Sequence, residues 1–535
     1  MRGSPRSGRL SGMTPLSRRT VLRAGLVTGA GLAAASGPAG RALAAPGLVR
    51  SGRPAVSHGV QSGDITVHSG LIWARADRPA RMHVEWSTDP SFRSVRRVPG
   101  PVVTPDTDLT GRVRLAGLPA GRELFYRVSF ADLHDGSLRG EPVSGALRTA
   151  PTDRRDVRFC WTADLAGQGW GVNPDLGGYP LFRAMHALRP DFYLSSGDNW
   201  YADNPVVESV TLPDGRIWRN VVTPEKSKVA ETLAEFRGQP RYNLLADSYR
   251  AMVAEVPVVA QWDDHETHNN WFPHQVLDDA RYTVTDVDLL AARARRAFAE
   301  YFPVSTIEPD GAGRIYRTIH YGPLLDVFML DMRTYKDPNT TDLETTPDGG
   351  ILGFRQLAWL KRELARSRAT WKVVANDLPL GLVVPDGPRI EAVAQGENGA
   401  PLGRELEIAD LLRWIGRAGV RNVVWVTADV HYTAAHHYDP ARAAFGDFEP
   451  FWEFVAGPAN AGGFGQLVLD GTFGPQAVFV ETPPAPNASP LQGFQFFGEM
   501  AIDGSTRELT VRLRGLTGDV RYSTTLGPQD PARTG

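Results

Sequence analysis

At 535 residues the chain is three to four times the ~150-residue scale of one domain, long enough for two domains with sizeable cores. Its 42% hydrophobic, 22% charged and 9% aromatic content excludes a disordered, collagenous or multi-span membrane protein. A net charge of −2 does not mark a nucleic-acid binder, and a lone cysteine, Cys160, excludes an intramolecular disulfide.

Residues 1–45 read as an address. Seven arginines fall before residue 45 and no acidic residue precedes Asp64. The basic start leads into a modest apolar run, Ala24–Ala35, and then into small residues at Ala42-Leu43-Ala44. That is the three-part pattern of a secretory signal, with cleavage expected near Ala44. The apolar run falls short of the ~20 residues a membrane span needs, and Gly25, Gly29 and Gly31 dilute it. Ser17-Arg18-Arg19-Thr20-Val21-Leu22 has the twin-arginine form, so the expectation is a secreted, extracytoplasmic protein delivered folded by the twin-arginine export machinery.

From 56 to 150 the pattern is that of strands. Gly70–Arg75, Met82–Ser87, Arg112–Leu115 and Leu124–Phe130 are short, partly alternating runs separated by Gly, Pro and Asp. With no long amphipathic helix among them, they predict a small all-β sandwich domain. A polar stretch, 152–156, links it to a second domain over 157–530, where apolar runs alternate with helical patterns as in an α/β layered fold. Helices are predicted at Leu181–Leu188, Leu244–Ala254, Leu289–Phe302, Arg355–Ser367 and Ile408–Ala418, and a long surface loop at Val383–Gly403.

The residues that end each apolar run carry the chemistry. Val157–Ala163 ends at Asp164, and Phe192–Gly197 at Asp198-Asn199. Val256–Trp262 ends at Asp263-Asp264-His265-Glu266, and Leu324–Leu330 at Asp331. Val373–Ala375 ends at Asn376-Asp377, and Val423–Ala428 at Asp429-Val430-His431. Ligands bind at this edge of layered α/β proteins. Any one of these Asp residues alone reads equally well as a cap or turn former. Drawn together, the carboxylates repel, and burying them costs several kcal/mol each unless cations neutralise them. A polynuclear metal site meets that need, and its oxygen-rich donors suit Fe(III), Ca, Mg or Mn rather than a thiolate-bound zinc. Asp198 and Tyr201 stand three residues apart across a turn that Gly197 makes tight. A phenolate ligand implies a strongly acidic, ferric-type metal, while the plain alternative is that Tyr201 is an ordinary half-buried aromatic. Asp429 and His431 alternate along an extended chain and so face the same way.

Taken together, these pieces resemble the alkaline phosphatase D (PhoD)-like family of calcineurin-like metallophosphoesterases. The matching segments are Gly197–Asp203, Trp262–Glu266, Leu330–Tyr335, Asn376–Pro379 and Thr427–His431, with His58–Asp64 matching the opening of the family's N-terminal domain. The resemblance implies an α/β (α+β) fold: a four-layer metallophosphoesterase β-sandwich flanked by helices, preceded by the small all-β domain. It implies Fe(3+) with Ca(2+), or another divalent ion at the second site, acting on small-molecule phosphate esters. Asp198 would bridge the metals. Asp164, Tyr201 and His431 would hold the ferric ion, Asp264 and Asp429 the second metal with Asn376 contributing, and His265 would sit over the phosphate. Arg333 would contact the phosphate as a planar fork.

There is one departure from the family. PhoD-like proteins usually end the first strand with an iron-binding cysteine, where this chain has Asp164. Cys160 lies four positions earlier, inside the apolar run, and is expected to be a buried strand residue. Two rival functions remain at this level. One is a secreted phospholipase-D-like enzyme on lipid headgroups, its mouth lined by Trp170, Trp200, Trp218, Trp262 and Trp271, residues that read equally well as core. The other is a non-catalytic secreted binding protein, which predicts that a strand-end ligand is missing; none is.

Overall fold

The computed structural model describes residues 52–346 and 350–529, so the proposed signal over 1–45 lies outside the described residues. The N-terminal strands are β1 (Val56–Gly63), β2 (Ser69–Ala76), β3 (Ala80–Ser87), β4 (Arg96–Val103), β5 (Thr110–Ala116), β6 (Glu123–Ala131) and β7 (Val143–Arg148). Then come β8 (Val157–Thr162), α1 (Leu181–Ala187), β9 (Phe192–Ser196), the small hairpin β10 (Ser209–Thr211) and β11 (Ile217–Arg219), and α2 (Leu233–Asn243). They are followed by α3 (Asp247–Glu255), β12 (Val258–Gln261), α4 (Val287–Tyr301), β13 (Arg317–His320), β14 (Leu325–Met329), α5 (Gly353–Arg366) and β15 (Trp371–Ala375). After a two-rung hairpin, β16 (Pro385–Asp386) and β17 (Arg389–Ile390), come α6 (Glu405–Arg417), β18 (Val423–Thr427), β19 (Thr433–Tyr438) and β20 (Phe451–Val455). The last strands are β21 (Pro475–Glu481), β22 (Phe497–Ile502), β23 (Leu509–Arg514) and β24 (Val520–Leu526).

Two sheets face each other. One has nine strands in the order β24-β23-β22-β8-β9-β12-β1-β2-β5, the other seven in the order β13-β14-β15-β18-β20-β19-β21. Strand periodicity builds the layers, because alternate side chains point to opposite faces. Phe192 and Leu194 of β9, Val327 and Met329 of β14, Val373 of β15 and Val424 and Val426 of β18 fill the core between the sheets. Their neighbours point outward: Tyr193 packs with α1–α4, and Phe328, Val374 and Trp425 pack with α5 and α6. The result is four layers, helix–sheet–sheet–helix. Among the described residues no helix is long and apolar enough to cross a membrane.

In two places the structure differs from the sequence expectation. The helix expected at Leu244–Ala254 is α3, and α2 precedes it. Pro240 inside α2 masks that helix from pattern reading, yet Thr232 caps it: Glu235 N–H donates to Thr232 Oγ1 at 3.3 Å and Thr232 N–H donates to the Glu235 carboxylate at 2.8 Å. The second difference concerns the N-terminal strands. A four-stranded sheet, β4-β3-β6-β7, covers β1, β2 and β5, but those three continue the nine-stranded sheet, with β1 parallel to β12 through Gly63 and Val258. Side chains lock the seam: Arg317 and Asp64, both buried, pair at 2.8 Å, and Trp73 Nε1 donates to Glu300 O at 2.7 Å. The loop at 383–403 contains only the short hairpin β16–β17.

Candidate metal centre

β8, β9 and β12 run parallel, as do β14, β15 and β18, so their C-terminal ends open at the same edge of the molecule. Asp164 follows β8, Asp198 follows β9, Asp263–Glu266 follow β12, Asn376-Asp377 follow β15, and Asp429 and His431 follow β18. Donor atoms gather there in three overlapping groups: Asp164, Asp198 and His431; Asp198, Asp264 and His265; and Asp263, Asp264 and Asp429. Within each group the atoms lie within 4.8 Å of one another. Asp198 and Asp264 belong to two groups each, so the three form one connected cluster.

The backbone at this edge is bent against its preference. Asp164, Asp198, Asp429 and His431 have φ of 68°, 44°, 63° and 59°, in the left-handed region that costs an L-residue about 1–2 kcal/mol. Such turns redirect the side chains from the strand axis into the space between the sheets. Two glycines clear that space. A Cβ on Gly197 would lie 2.5 Å from Asp263 Cβ, and one on Gly457 would lie 2.4 Å from Asp164 Oδ2.

Tyr201, fully buried, places its hydroxyl 2.7 Å from His431 Nε2. His431 Nδ1 donates to Gly462 O at 2.5 Å, which fixes the tautomer and leaves Nε2 as the lone pair facing Tyr201 and Asp164. Asp164 Oδ1 lies 3.7 Å from that nitrogen. The phenol, imidazole and carboxylates therefore converge, and Tyr201 is fully rather than half buried, with its hydroxyl hydrogen-bonded to His431. Asn376 donates from Nδ2 to Leu378 O at 2.6 Å, which turns Oδ1 away from the backbone.

Electrostatics point the same way. Burial, and then neighbouring carboxylates, push the Asp164, Asp198 and Asp429 carboxyls well above their ordinary range. Tyr201 is raised by burial and by Asp198 and Asp164. Burial lowers His431 to about 4. Both oxygens of Asp164 and Oδ1 of Asn376 are buried without a hydrogen-bond partner. Orphaned buried oxygens beside crowded carboxylates are the condition a multivalent cation relieves, and oxygen donors with a phenol and an imidazole fit hard ions.

His265 borders the cluster with its ring centroid 4.0 Å from that of Tyr201. Burial would lower its pKa, but the Asp203 and Asp264 carboxylates outweigh it and raise the ring to about 9. Its Nδ1 bonds Asp203 Oδ1 at 2.7 Å, leaving Nε2 as the ring atom available to a ligand.

Arg333 stands elsewhere than expected. It is fully buried, with Nε donating to Asp263 Oδ1 at 2.5 Å and Nη1 paired with Glu391. Nη2 lies 3.8 Å from Asp264 and 3.7 Å from Asp429, beyond hydrogen-bond length. Two arms of the guanidinium are engaged by Asp263 and Glu391, while Nη2, buried without a hydrogen-bond partner, faces Asp264 and Asp429 of the cluster. Asp331 also drops out, since its carboxylate accepts from Trp262 Nε1 at 2.9 Å and from Thr334 as a turn residue. The five tryptophans suggested for a lipid mouth are all 4% exposed or less, so they are core. Cys160 is buried inside β8.

Three supporting residues escaped the sequence reading. Asp203 orients His265, and Glu391 pairs with Arg333 from the 383–403 loop. Glu266 clamps two strand ends: one oxygen accepts from Asn199 N and Nδ2 at 2.6 and 2.7 Å, the other from Asp263 N at 2.8 Å. Both Asp203 and Glu266 lie within motifs already rich in acidic residues, which was the available signal; Glu391 had none.

Residues 159–513 match the model of the PhoD-like phosphatase family, and residues 42–151 match that of the PhoD-like phosphatase N-terminal domain. Alkaline phosphatase D of Bacillus subtilis (strain 168) is 27% identical over 432 residues, covering 76% of this chain and 70% of that protein. A solved structure of PhoD superposes with a TM-score of 0.66 at 20% identity, covering 88% of both chains. A purple acid phosphatase from yellow lupin (Lupinus luteus) seeds gives 0.53 at 14% identity, covering 89% of this chain and 74% of its own. The fold of these two structures is the layered sandwich described above.

Proposed function

The chain belongs to the PhoD-like phosphatase family and is a phosphoric ester hydrolase; on that premise we propose how its site is loaded and where it works. Asp198 would be shared between two ions, Asp164, Tyr201 and His431 would hold a ferric ion, and Asp264 and Asp429, with Asn376, would hold calcium or another divalent ion. The observation that carries this reading is the convergence of buried, partnerless Asp164 oxygens with the Tyr201 hydroxyl and His431 Nε2. Bound ions of this kind acidify water and neutralise charge on phosphoryl oxygens.

The protein's own groups do the rest. His265, held through Nδ1 by Asp203, presents Nε2 to the oxygen of the departing alcohol and supplies it with a proton. Glu266 keeps the Asp198 and Asp263 loops in register, and the buried cluster excludes bulk water, which strengthens each charge interaction. Arg333 balances the carboxylates from behind. Residues 1–45 direct the protein out of the cytoplasm by the twin-arginine route, so that it acts as a secreted enzyme on small phosphoesters.

Purified protein is expected to contain iron and calcium by elemental analysis and to release p-nitrophenol from p-nitrophenyl phosphate or its bis ester. Protein that binds neither metal and hydrolyses neither ester would refute the reading. Two substitutions separate the candidate iron ligands. Cys160→Ala is expected to leave iron content unchanged and Asp164→Ala to lose it; the opposite pattern would return the ligand position to the cysteine.

A further inference from the structure

The way into the cluster is chemically two-sided. Asp164 and Arg333 are fully enclosed, whereas the side chains of Asp429, His265 and His431 remain 12%, 9% and 6% exposed. These three are the partly exposed side chains of the cluster. Four rings make successive contacts running from His265 to Phe464 in a row through the buried Tyr201: His265 and Tyr201 with centroids 4.0 Å apart, Tyr201 and His431 at 6.1 Å, and His431 and Phe464 at 5.3 Å. At one end of the row the ring presents a polar nitrogen, and at the other a half-buried phenyl face.

Hydrogen bonds from backbone and neighbouring side chains anchor this loop: Phe464 N–H donates to His431 O at 3.1 Å, Gly462 O accepts from His431 Nδ1, and Gly462 N–H donates to Gln168 Oε1 at 3.2 Å. The Phe464 ring is half-buried and packs against the ring of His431, one of the partly exposed side chains of the cluster.

We propose that Phe464 is a specificity-determining residue whose ring, beside His431, forms an apolar wall for the alcohol portion of the substrate, so that the site favours phosphoesters of apolar alcohols over those of polyols. This rests on the phosphoesterase reading and adds a substrate class to it. Apolar contact of this kind discriminates by burying methylene groups that a polyol cannot bury favourably.

The test uses the protein as purified with its metals. Binding of hexylphosphonate and methylphosphonate is compared by calorimetry, and kcat/KM is compared for hexyl phosphate and glycerol phosphate. The parent is expected to favour the hexyl compounds, Phe464→Asn to reduce that preference about tenfold, and Phe464→Leu to retain it to within about twofold, the scale of methylene discrimination in apolar sites. Methylphosphonate binding is expected to be unchanged in both variants. A parent without hexyl preference, an asparagine variant that keeps it, or equal loss of both phosphonates would overturn the proposal. A parent that binds the phosphonates yet hydrolyses no ester would overturn the phosphoesterase reading and the proposal with it.

Discussion

Asp198→Asn is expected to lower phosphate release roughly a hundredfold to a thousandfold, the scale on which removal of one preorganised electrostatic contact acts in other enzymes. Asp198 is shared by two of the three donor groups, and its carboxylate also accepts from His265 N–H at 3.1 Å. The amide keeps the shape and removes the charge, so neither group can balance its cation as before. Steady-state rates on p-nitrophenyl phosphate and its bis ester, with metal content measured on the same samples, check this. A variant as active as the parent on both esters would remove Asp198 from the mechanism.

Arg333→Leu is expected to destabilise the protein by about 3–5 kcal/mol, the range found when one member of a buried ion pair is removed. Arg333 is completely enclosed and faces Asp263, Asp264, Asp377, Asp429 and Glu391. Leucine fills similar volume but leaves those carboxylates without their resident cation. Urea unfolding with the metals chelated reads the effect: the midpoint should fall while the slope is kept. Were Arg333 instead a phosphate fork, the midpoint would stay and KM alone would rise.

The same arginine shows what the sequence could and could not convey. The convergence of donor groups at strand ends was legible because a strand's direction and its last apolar residue are local properties, so Asp164, Asp198, Asp264, Asn376, Asp429 and His431 could be placed at one edge without coordinates. The layering was legible for the same reason, through alternation along β9, β14, β15 and β18. Charge partnership was not. Glu391 lies 58 residues from Arg333 in a stretch without periodicity, and only the folded chain brings them together. The tryptophans stayed undecided between core and mouth because a large amphipathic ring reads identically in a core and at a rim. Asp331 shared the strand-end pattern but found its partners within three residues and in Trp262, so position at an edge is necessary and not sufficient.

The seam between β1 and β12 bears on how the polypeptide survives on its own. Without β1, β2 and β5, the backbone of β12 would present unsatisfied amides and carbonyls along a raw rim, the kind of template on which copies of a protein stack and precipitate. The leading strands thus serve as a built-in guard for solubility, and cutting the polypeptide at the polar stretch after β7 would yield a sticky fragment in place of a smaller enzyme.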